Sequence, residues 1–356
     1  MRTISALILL LTTHYAYPQP ALKSRLDSFF QLQPSTQPGF VLSIEKRGQP
    51  IYYNTTSPSL DSLTNFRMAS VTKQFTAMAI LLLEKQGALS VDDPIGRWLP
   101  ELPVRIGKQV LIHHLLTHSS GLLDYENLIP ETQTTQVLDA DVLRLLSTHD
   151  STLFTPGSRF RYSNSGFCLL ALIIERASHT SYPDFIKTNI FLPLHMDSSS
   201  VYIPNVRIPR RSMGYARDST GHVVPNDQSV TSATKGDGGV YTSLADYEKW
   251  TLALQHNKLI NLPATLKRLR FPIAGNNAAY AAGWFLPPGP PRLLFHSGGT
   301  CGFTTYVVQI PVDELSIVFF SNLAANQKPF ETITHILKET NFADLDPVFH
   351  LHDLTR

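Results

Sequence analysis

The chain has 356 residues, 43% of them hydrophobic, with a formal charge of +2. That length fits one large domain or two lobes sharing a cleft, the apolar content is that of a globular protein, and the near-neutral charge argues against a polyanionic partner. Two cysteines, Cys168 and Cys301, are too few for a disulfide scaffold.

The N-terminus has a basic start at Arg2, an apolar run from Ile4 to Leu11 and a polar segment containing Ala16. An apolar core of roughly 10 residues is the length of a secretory leader, where a membrane-spanning helix needs about 20. The expectation is a signal peptide over residues 1–18, cut after Ala16 although His14 is larger than usual there, and a secreted or periplasmic protein. An uncleaved anchor is the alternative. Residues 19–345 then form a single domain and 346–356 a C-terminal tail.

From Gly39 to Arg47 apolar and polar residues alternate, Arg47-Gly48 offers a turn, and Pro50 to Tyr53 resumes the pattern, so a hairpin is predicted. A long apolar helix follows from Ser70 to the glycine stop at Gly87. Asp93-Pro94 is read as the start of a short helix through Trp98, and further helical spacing runs over Val110–Thr117 and Asp139–His149. Pro156-Gly157 forces a turn, Phe167–Ile174 is a buried helix, and after the glycine cluster Gly236–Gly239 another helix spans Leu244–Gln255. Short strand patterns then occupy Gly283–Leu286, Arg292–His296, Thr304–Ile310 and Leu315–Asn322, with a closing helix over Pro329–Thr340.

Strands at both chain ends with helices between them predict an α+β fold. The expected architecture is an antiparallel sheet of about five strands flanked by helices, with an α/β lobe over about 19–86 and 276–345 and a mainly helical inserted lobe over about 87–275. The arginines Arg207, Arg210 and Arg211 have no aromatic residues interleaved with them and read as a solvated loop rather than a nucleic-acid surface. The histidine pairs His113-His114 and His350-x-His352 lack a third ligand at a familiar spacing, so no metal is expected.

Ser70 and Lys73 are three residues apart at the start of the long helix, which sets their side chains on one face about 5 to 6 Å apart at Cβ. A helix N-terminus also favours developing negative charge. The same spacing recurs at Ser43–Lys46, inside a strand pattern that points the two residues apart, and at Ser232–Lys235, before glycines instead of a helix. No Gly-x-Ser-x-Gly elbow is present.

Tyr162-Ser163-Asn164 offers a base: a tyrosine becomes basic only beside a cation, and Lys73 is the obvious one. Tyr-x-Asn also occurs at Tyr52 and Tyr125, the latter a fair competitor on a loop from Ser119 to Asn127. His296-Ser297-Gly298-Gly299 ends a strand, and the Gly299 N–H could join that of Ser70 as an oxyanion hole.

In this order and at these separations, Ser70-Val71-Thr72-Lys73, Tyr162-Ser163-Asn164 and His296-Ser297-Gly298 resemble the serine β-lactamase and penicillin-binding protein superfamily. The closest likeness is to its class C-related branch of esterases, D-amino-acid peptidases and lactamase-like hydrolases. It extends through FRMASVTKQFTA, LSVDDPIGRWLPELP, LIHHLLTHSSGLLDY, FTPGSRFRYSNSGFCLLALIIE and GDGGVYTSLADYEKW and covers about residues 22 to 340.

The resemblance implies a secreted serine hydrolase working through a covalent acyl-enzyme on a small ester, amide or D-amino-acid peptide. Ser70 would be the nucleophile, with Lys73 and Tyr162 moving its proton. Asn164, His296 and Ser297 would bind or orient the substrate, and the backbone of Ser70 and Gly299 would form the oxyanion hole. The family carries either a lysine or a histidine at position 296, and histidine, mostly neutral above its pKa of about 6.5, is the weaker anchor for a substrate carboxylate. The alternatives are a true β-lactamase or D-Ala-D-Ala carboxypeptidase, and a non-catalytic protein that binds cell-wall fragments. No cofactor or metal is implied, the partner is a small-molecule or peptide substrate, cell-wall-derived pieces included, and no nucleic acid is involved.

Overall fold

A computed structural model describes residues 19–275, 277–288, 293–346 and 348. The leader expected over 1–18, Arg292 of one expected strand and most of the 346–356 tail lie outside the described residues.

One antiparallel sheet organises the molecule. Its strands are β1 (Phe40–Lys46), β2 (Gln49–Thr55), β3 (Phe271–Ile273), β4 (Ala278–Ala281), β5 (Trp284–Leu286), β6 (Leu294–Thr300), β7 (Phe303–Ile310) and β8 (Leu315–Ser321). They lie in the order β2-β1-β8-β7-β6-β5-β4-β3. The two chain ends meet in the middle, where β1 pairs with β8 from Phe40↔Ser321 to Lys46↔Leu315. The five long strands are those expected. Three short ones carry the sheet to eight, and two of these, β3 and β4, had no strand signal. Ala278–Ala281 is poor in β-branched residues, and its extended form is imposed by the ladders to β5 and β3 on either side.

Strand β6 is longer than expected, running through Gly298 and Gly299 to Thr300 because both glycines stay paired with β7. At Gly298 a side chain would have no room. A Cβ there would lie 2.4 Å from the Met68 carbonyl and 2.4 Å from Thr305 Oγ1, so glycine lets β6 press against the segment that leads into Ser70.

Period-two alternation divides the sheet into two faces. Phe40, Leu42, Ile44, Tyr306, Val308, Ile317 and Phe319 face two helices from the chain ends, Gln19–Gln31 and Lys328–Glu339, and enclose one core with Leu22, Leu26, Phe30, Phe330 and Ile333. Val41, Val307, Val318 and Phe320 point the other way, into a larger core built on the Lys73–Lys85 helix. Every residue of that helix from Lys73 to Leu83 is buried, as its nearly all-round apolar surface predicts. Rigid packing of its first turn follows.

Between β2 and β3 the chain is mainly helix and loop, with the helices Val104–Gln109, Ile112–Leu116, Asp139–Ser147, Asn164–Ser178, Tyr182–Ile186, Leu244–Gln255 and Leu262–Arg268. The helix expected from Asp93 to Trp98 is only a 3-10 turn at Ile95–Arg97. The Asp93 carboxylate accepts from the Ser90 N–H at 3.0 Å and from Trp98 Nε1 at 3.3 Å, which ties the loop to itself instead of capping a helix. The predicted buried helix starts earlier than its apolar run, at Asn164, because Ser163 is a working N-cap whose Oγ accepts from the Gly166 N–H at 3.4 Å. Asn164 therefore sits on a rigid helix start rather than on a loop.

Candidate active site

Ser70 lies on a single 3-10 turn, Ala69–Thr72, and the α-helix proper begins at Lys73. Ala69, just before the serine, is held in the left-handed region at φ 48°, a conformation costing about 1–3 kcal/mol that persists only where neighbours fix it. Thr305 Oγ1 donates to the Met68 carbonyl at 3.1 Å, the Met68 N–H donates to the Val240 carbonyl at 2.9 Å, and the Val240 N–H donates to Thr72 Oγ1 at 3.1 Å. The turn is thus clamped from the main sheet on one side and from the short strand Val240–Thr242 on the other.

Lys73 is completely buried, and its ammonium has three donors for three acceptors. It reaches Ser70 Oγ at 3.0 Å, Asn164 Oδ1 at 2.7 Å and the Asp237 carbonyl at 2.9 Å. A buried charge persists only when so compensated. The amide of Asn164 is oriented from its other end, where Nδ2 donates to Glu126 Oε1 at 2.6 Å. Burial raises the Glu126 carboxyl above its ordinary value, while the Asn164 hydrogen bond and the charge of Lys73 pull it back.

The Asp237 carbonyl is brought to Lys73 by a glycine. A Cβ on Gly236 would sit 2.2 Å from the Phe167 carbonyl, so only glycine lets this loop lie directly on the Asn164–Ser178 helix. Asp139, fully buried, accepts from the Lys235 and Gly236 N–H groups at 3.1 and 3.3 Å and fixes the loop from below.

Tyr162 turns its ring, not its hydroxyl, to the cation: Lys73 Nζ is 4.9 Å from the ring centroid. Its buried hydroxyl oxygen has no hydrogen-bond partner among the described residues. Around the ring stand His118 at 4.2 Å between centroids, His296 at 6.3 Å and Tyr280 at 6.5 Å. The Ser163 N–H donates to His118 Nδ1 at 3.1 Å, which leaves the proton of the neutral ring on Nε2. Burial, reinforced by the charge of Lys73, holds His118 well below its ordinary value and pushes His296 down to about 3.

His296 was expected to meet substrate. It is instead wholly buried, with Nε2 3.1 Å from the Tyr280 hydroxyl and Nδ1 2.6 Å from the Ser297 carbonyl. Both ring nitrogens are occupied, so its contact is with Tyr280 and the floor of β6. Ser297 is buried beside it at 2% exposure. Gly299, in contrast, is exposed, and a Cβ placed there would meet nothing within 4 Å, leaving space on that side of the strand end.

The other copies of each pattern are occupied elsewhere. Ser43 donates to Glu248, and Lys235 is 3.6 Å from Glu175. The Tyr125 hydroxyl is buried against Thr234 and Asp237, and burial raises it far above its usual value, which removes it as a base. Tyr52 is tied to Asp27 at 3.0 Å on the far face of the sheet. Two of the three clustered arginines are ion-paired, Arg210 with Asp61 and Arg211 with Asp227. Among the described residues no group of three or more His, Cys, Asp or Glu side chains could hold a metal, and Cys168 and Cys301 are both free.

The Beta-lactamase family model matches residues 28–341 of the chain. The chain belongs to the Beta-lactamase family. Penicillin-binding protein 4* of Bacillus subtilis (strain 168) is 35% identical to it over 276 residues, which cover 72% of this chain and 60% of that protein. The chain therefore matches about three-fifths of the length of this curated relative. Among solved structures, a penicillin-binding protein from Bacillus halodurans aligns with TM-score 0.76 and 25% identity, covering 88% of this chain and 98% of that one. The D-amino acid amidase from Ochrobactrum anthropi SV3 shares the fold with TM-score 0.74 at 22% identity, covering 90% of this chain and 99% of that one.

Three residues that the structure brings to this site were not singled out from the sequence: His118, Glu126 and Asp237. Each lies far from its partner along the chain, 45 residues from Ser163, 38 from Asn164 and 164 from Lys73 respectively. The run LIHHLLTHSSGLLDY contains His118 and leads to Glu126, yet its helical spacing reports only packing.

Proposed function

We propose that this protein is a serine hydrolase that forms a covalent acyl-enzyme at Ser70 on a small ester, amide or D-amino-acid peptide. The observation that carries this is Lys73, a buried ammonium with all three donors used, one of them on Ser70 Oγ at 3.0 Å. A protonated Lys73 cannot take the serine proton, so that role goes to Tyr162, whose ring the cation faces at 4.9 Å. With Tyr162 as a phenolate beside the Lys73 ammonium, the proton passes from Ser70 Oγ to the phenolate oxygen and from the resulting phenol to the leaving group. Asn164, held by Glu126, keeps Lys73 in place through this transfer. The N–H groups of Ser70 and Gly299 receive the oxyanion. Among the described residues no carboxylate is hydrogen-bonded to Ser70 Oγ, and the same Tyr162–Lys73 pair activates the water that releases the acyl group.

Neutral His296, shielded from substrate by its own hydrogen bonds, offers no fixed positive charge for a substrate carboxylate. This supports an esterase, amidase or D-peptidase over a strict D-Ala-D-Ala carboxypeptidase or β-lactamase. The amidase activity named for the Ochrobactrum anthropi protein is in keeping with that preference. The leader expected over residues 1–18 supports a secreted or periplasmic site of action.

Incubation with a fluorophosphonate should add one phosphonyl group to the intact protein and none to Ser70→Ala. A Ser70→Ala protein that retains full turnover would overturn the assignment. Turnover of p-nitrophenyl esters against nitrocefin separates an esterase from a β-lactamase. Equilibrium binding of a cell-wall fragment without acylation would indicate the non-catalytic alternative.

A further inference from the structure

Away from Ser70, a cavity of about 470 Å³ opens between the sheet and the helices Leu244–Gln255 and Leu262–Arg268. That volume falls in the range of roughly 300–1,000 Å³ typical of small-molecule clefts. Leu254, Leu262, Leu266, Leu286 and Leu294 form its walls. Such a surface holds ordered water poorly, because each water needs two to four polar partners.

Two polar atoms interrupt the apolar lining. Gln309 is 2% exposed and its Nε2 is buried without a hydrogen-bond partner among the described residues, and the same is true of Gln255 Oε1. Natural proteins rarely leave such groups unpaired, since each costs its full desolvation. One is a donor and the other an acceptor. At the rim, Lys267 and Arg270 are exposed and form no ion pair among the described residues.

We infer that this cavity is a second binding site, for an acyl chain that carries a carboxylate. The chain lies among the leucines, a carbonyl accepts from Gln309 Nε2, and the carboxylate is drawn to Lys267 and Arg270. A free fatty acid supplies only the chain and the carboxylate, whereas an N-acyl amino acid also has an amide carbonyl for Gln309 Nε2. Only the second also has an N–H for Gln255 Oε1, so it is the better fit. The site is distinct from the catalytic one: Leu294 and Gly299 are on the same strand five residues apart, about 17 Å at the rise of a β-strand.

Titration calorimetry on the full chain, with dodecanoate, N-dodecanoylglycine and dodecanol as probes below their micellar concentrations, tests this directly. One site is expected, with dodecanol several-fold weaker than dodecanoate and N-dodecanoylglycine tightest. Tighter binding of dodecanoate than of N-dodecanoylglycine would still support the site and would name the free fatty acid as its ligand. Leu266→Trp, which fills the cavity, should weaken binding at least tenfold, and the Lys267→Glu/Arg270→Glu double variant several-fold, while Ser70→Ala binds as the wild type does. The two exposed charge reversals leave the core untouched, so they serve even if Leu266→Trp fails to fold. Absence of saturable binding, equal affinity for dodecanol, or full dodecanoate affinity in the charge-reversed protein would overturn the inference.

Discussion

In the proposed mechanism Lys73 and Tyr162 divide the work of one base, Lys73 as the buried cation and Tyr162 as the proton acceptor. Replacing Ser70 with alanine should lower kcat for an ester by a factor on the order of 10³ to 10⁶, the range found when a serine nucleophile is removed. Tyr162→Phe tests the proton path more selectively. Its hydroxyl makes no hydrogen bond, so the variant should unfold within about 0.5 kcal/mol of the wild type in urea while kcat drops about 10² to 10⁴-fold. An unchanged kcat would return the proton to Lys73. Ser70 and Lys73 were legible in the sequence because three residues on a helix always share a face. Tyr162 and Asn164 were legible only as a candidate among three copies, since a turn motif does not state what it faces. His118, Glu126 and Asp237 carried no local pattern at all.

At the scale of elements, the close approach of β6 to the nucleophile turn is the critical packing. Gly298→Ala forces a methyl group against the Met68 carbonyl and Thr305 Oγ1, both at 2.4 Å. Overpacking of this kind costs about 1–3 kcal/mol, and it moves Ala69 and Ser70 with it. Urea unfolding and ester turnover should therefore both suffer, whereas Gly299→Ala, with nothing within 4 Å of the new methyl, should leave stability unchanged. The Asp139 anchor makes a different prediction. Burial pushes its carboxyl up to about 7 from 3.8, so the fold prefers the protonated form. Its stabilisation is complete below the unfolded value and fades as pH rises through about 7. Thermal unfolding from pH 5 to pH 8 should show Asp139→Asn gaining on the wild type as pH increases.

Over the whole molecule, opposite titrations bracket a stability maximum. Glu45, forced up to about 7 by burial and by its neighbour Glu248, loses stabilisation with rising pH in the same sense as Asp139. His114, His118 and His296 are held neutral by burial below their ordinary 6.5, so the stability they lend is present above that value and lost as pH falls. The melting temperature should peak at about pH 6 to 7 and decline on both sides, as scanning calorimetry across pH 4 to 9 would show.

The sequence by itself determined the elements whose signal is local: the buried helix behind Ser70, the hairpins of β1–β2 and β7–β8, the serine–lysine pair, and through several short motifs in order, the family. Each depends on periodicity or spacing within one segment. Tertiary structure decided the rest. It extended the sheet to β3 and β4, the first too short to show a period of two and the second poor in strand formers, because a free ladder edge recruits whatever chain lies beside it. It also buried His296, read from the sequence as a substrate contact, with its nitrogens beside the Tyr280 hydroxyl and the Ser297 carbonyl. Burial and partners set by distant parts of the chain fix what a side chain can do, and no local pattern encodes them.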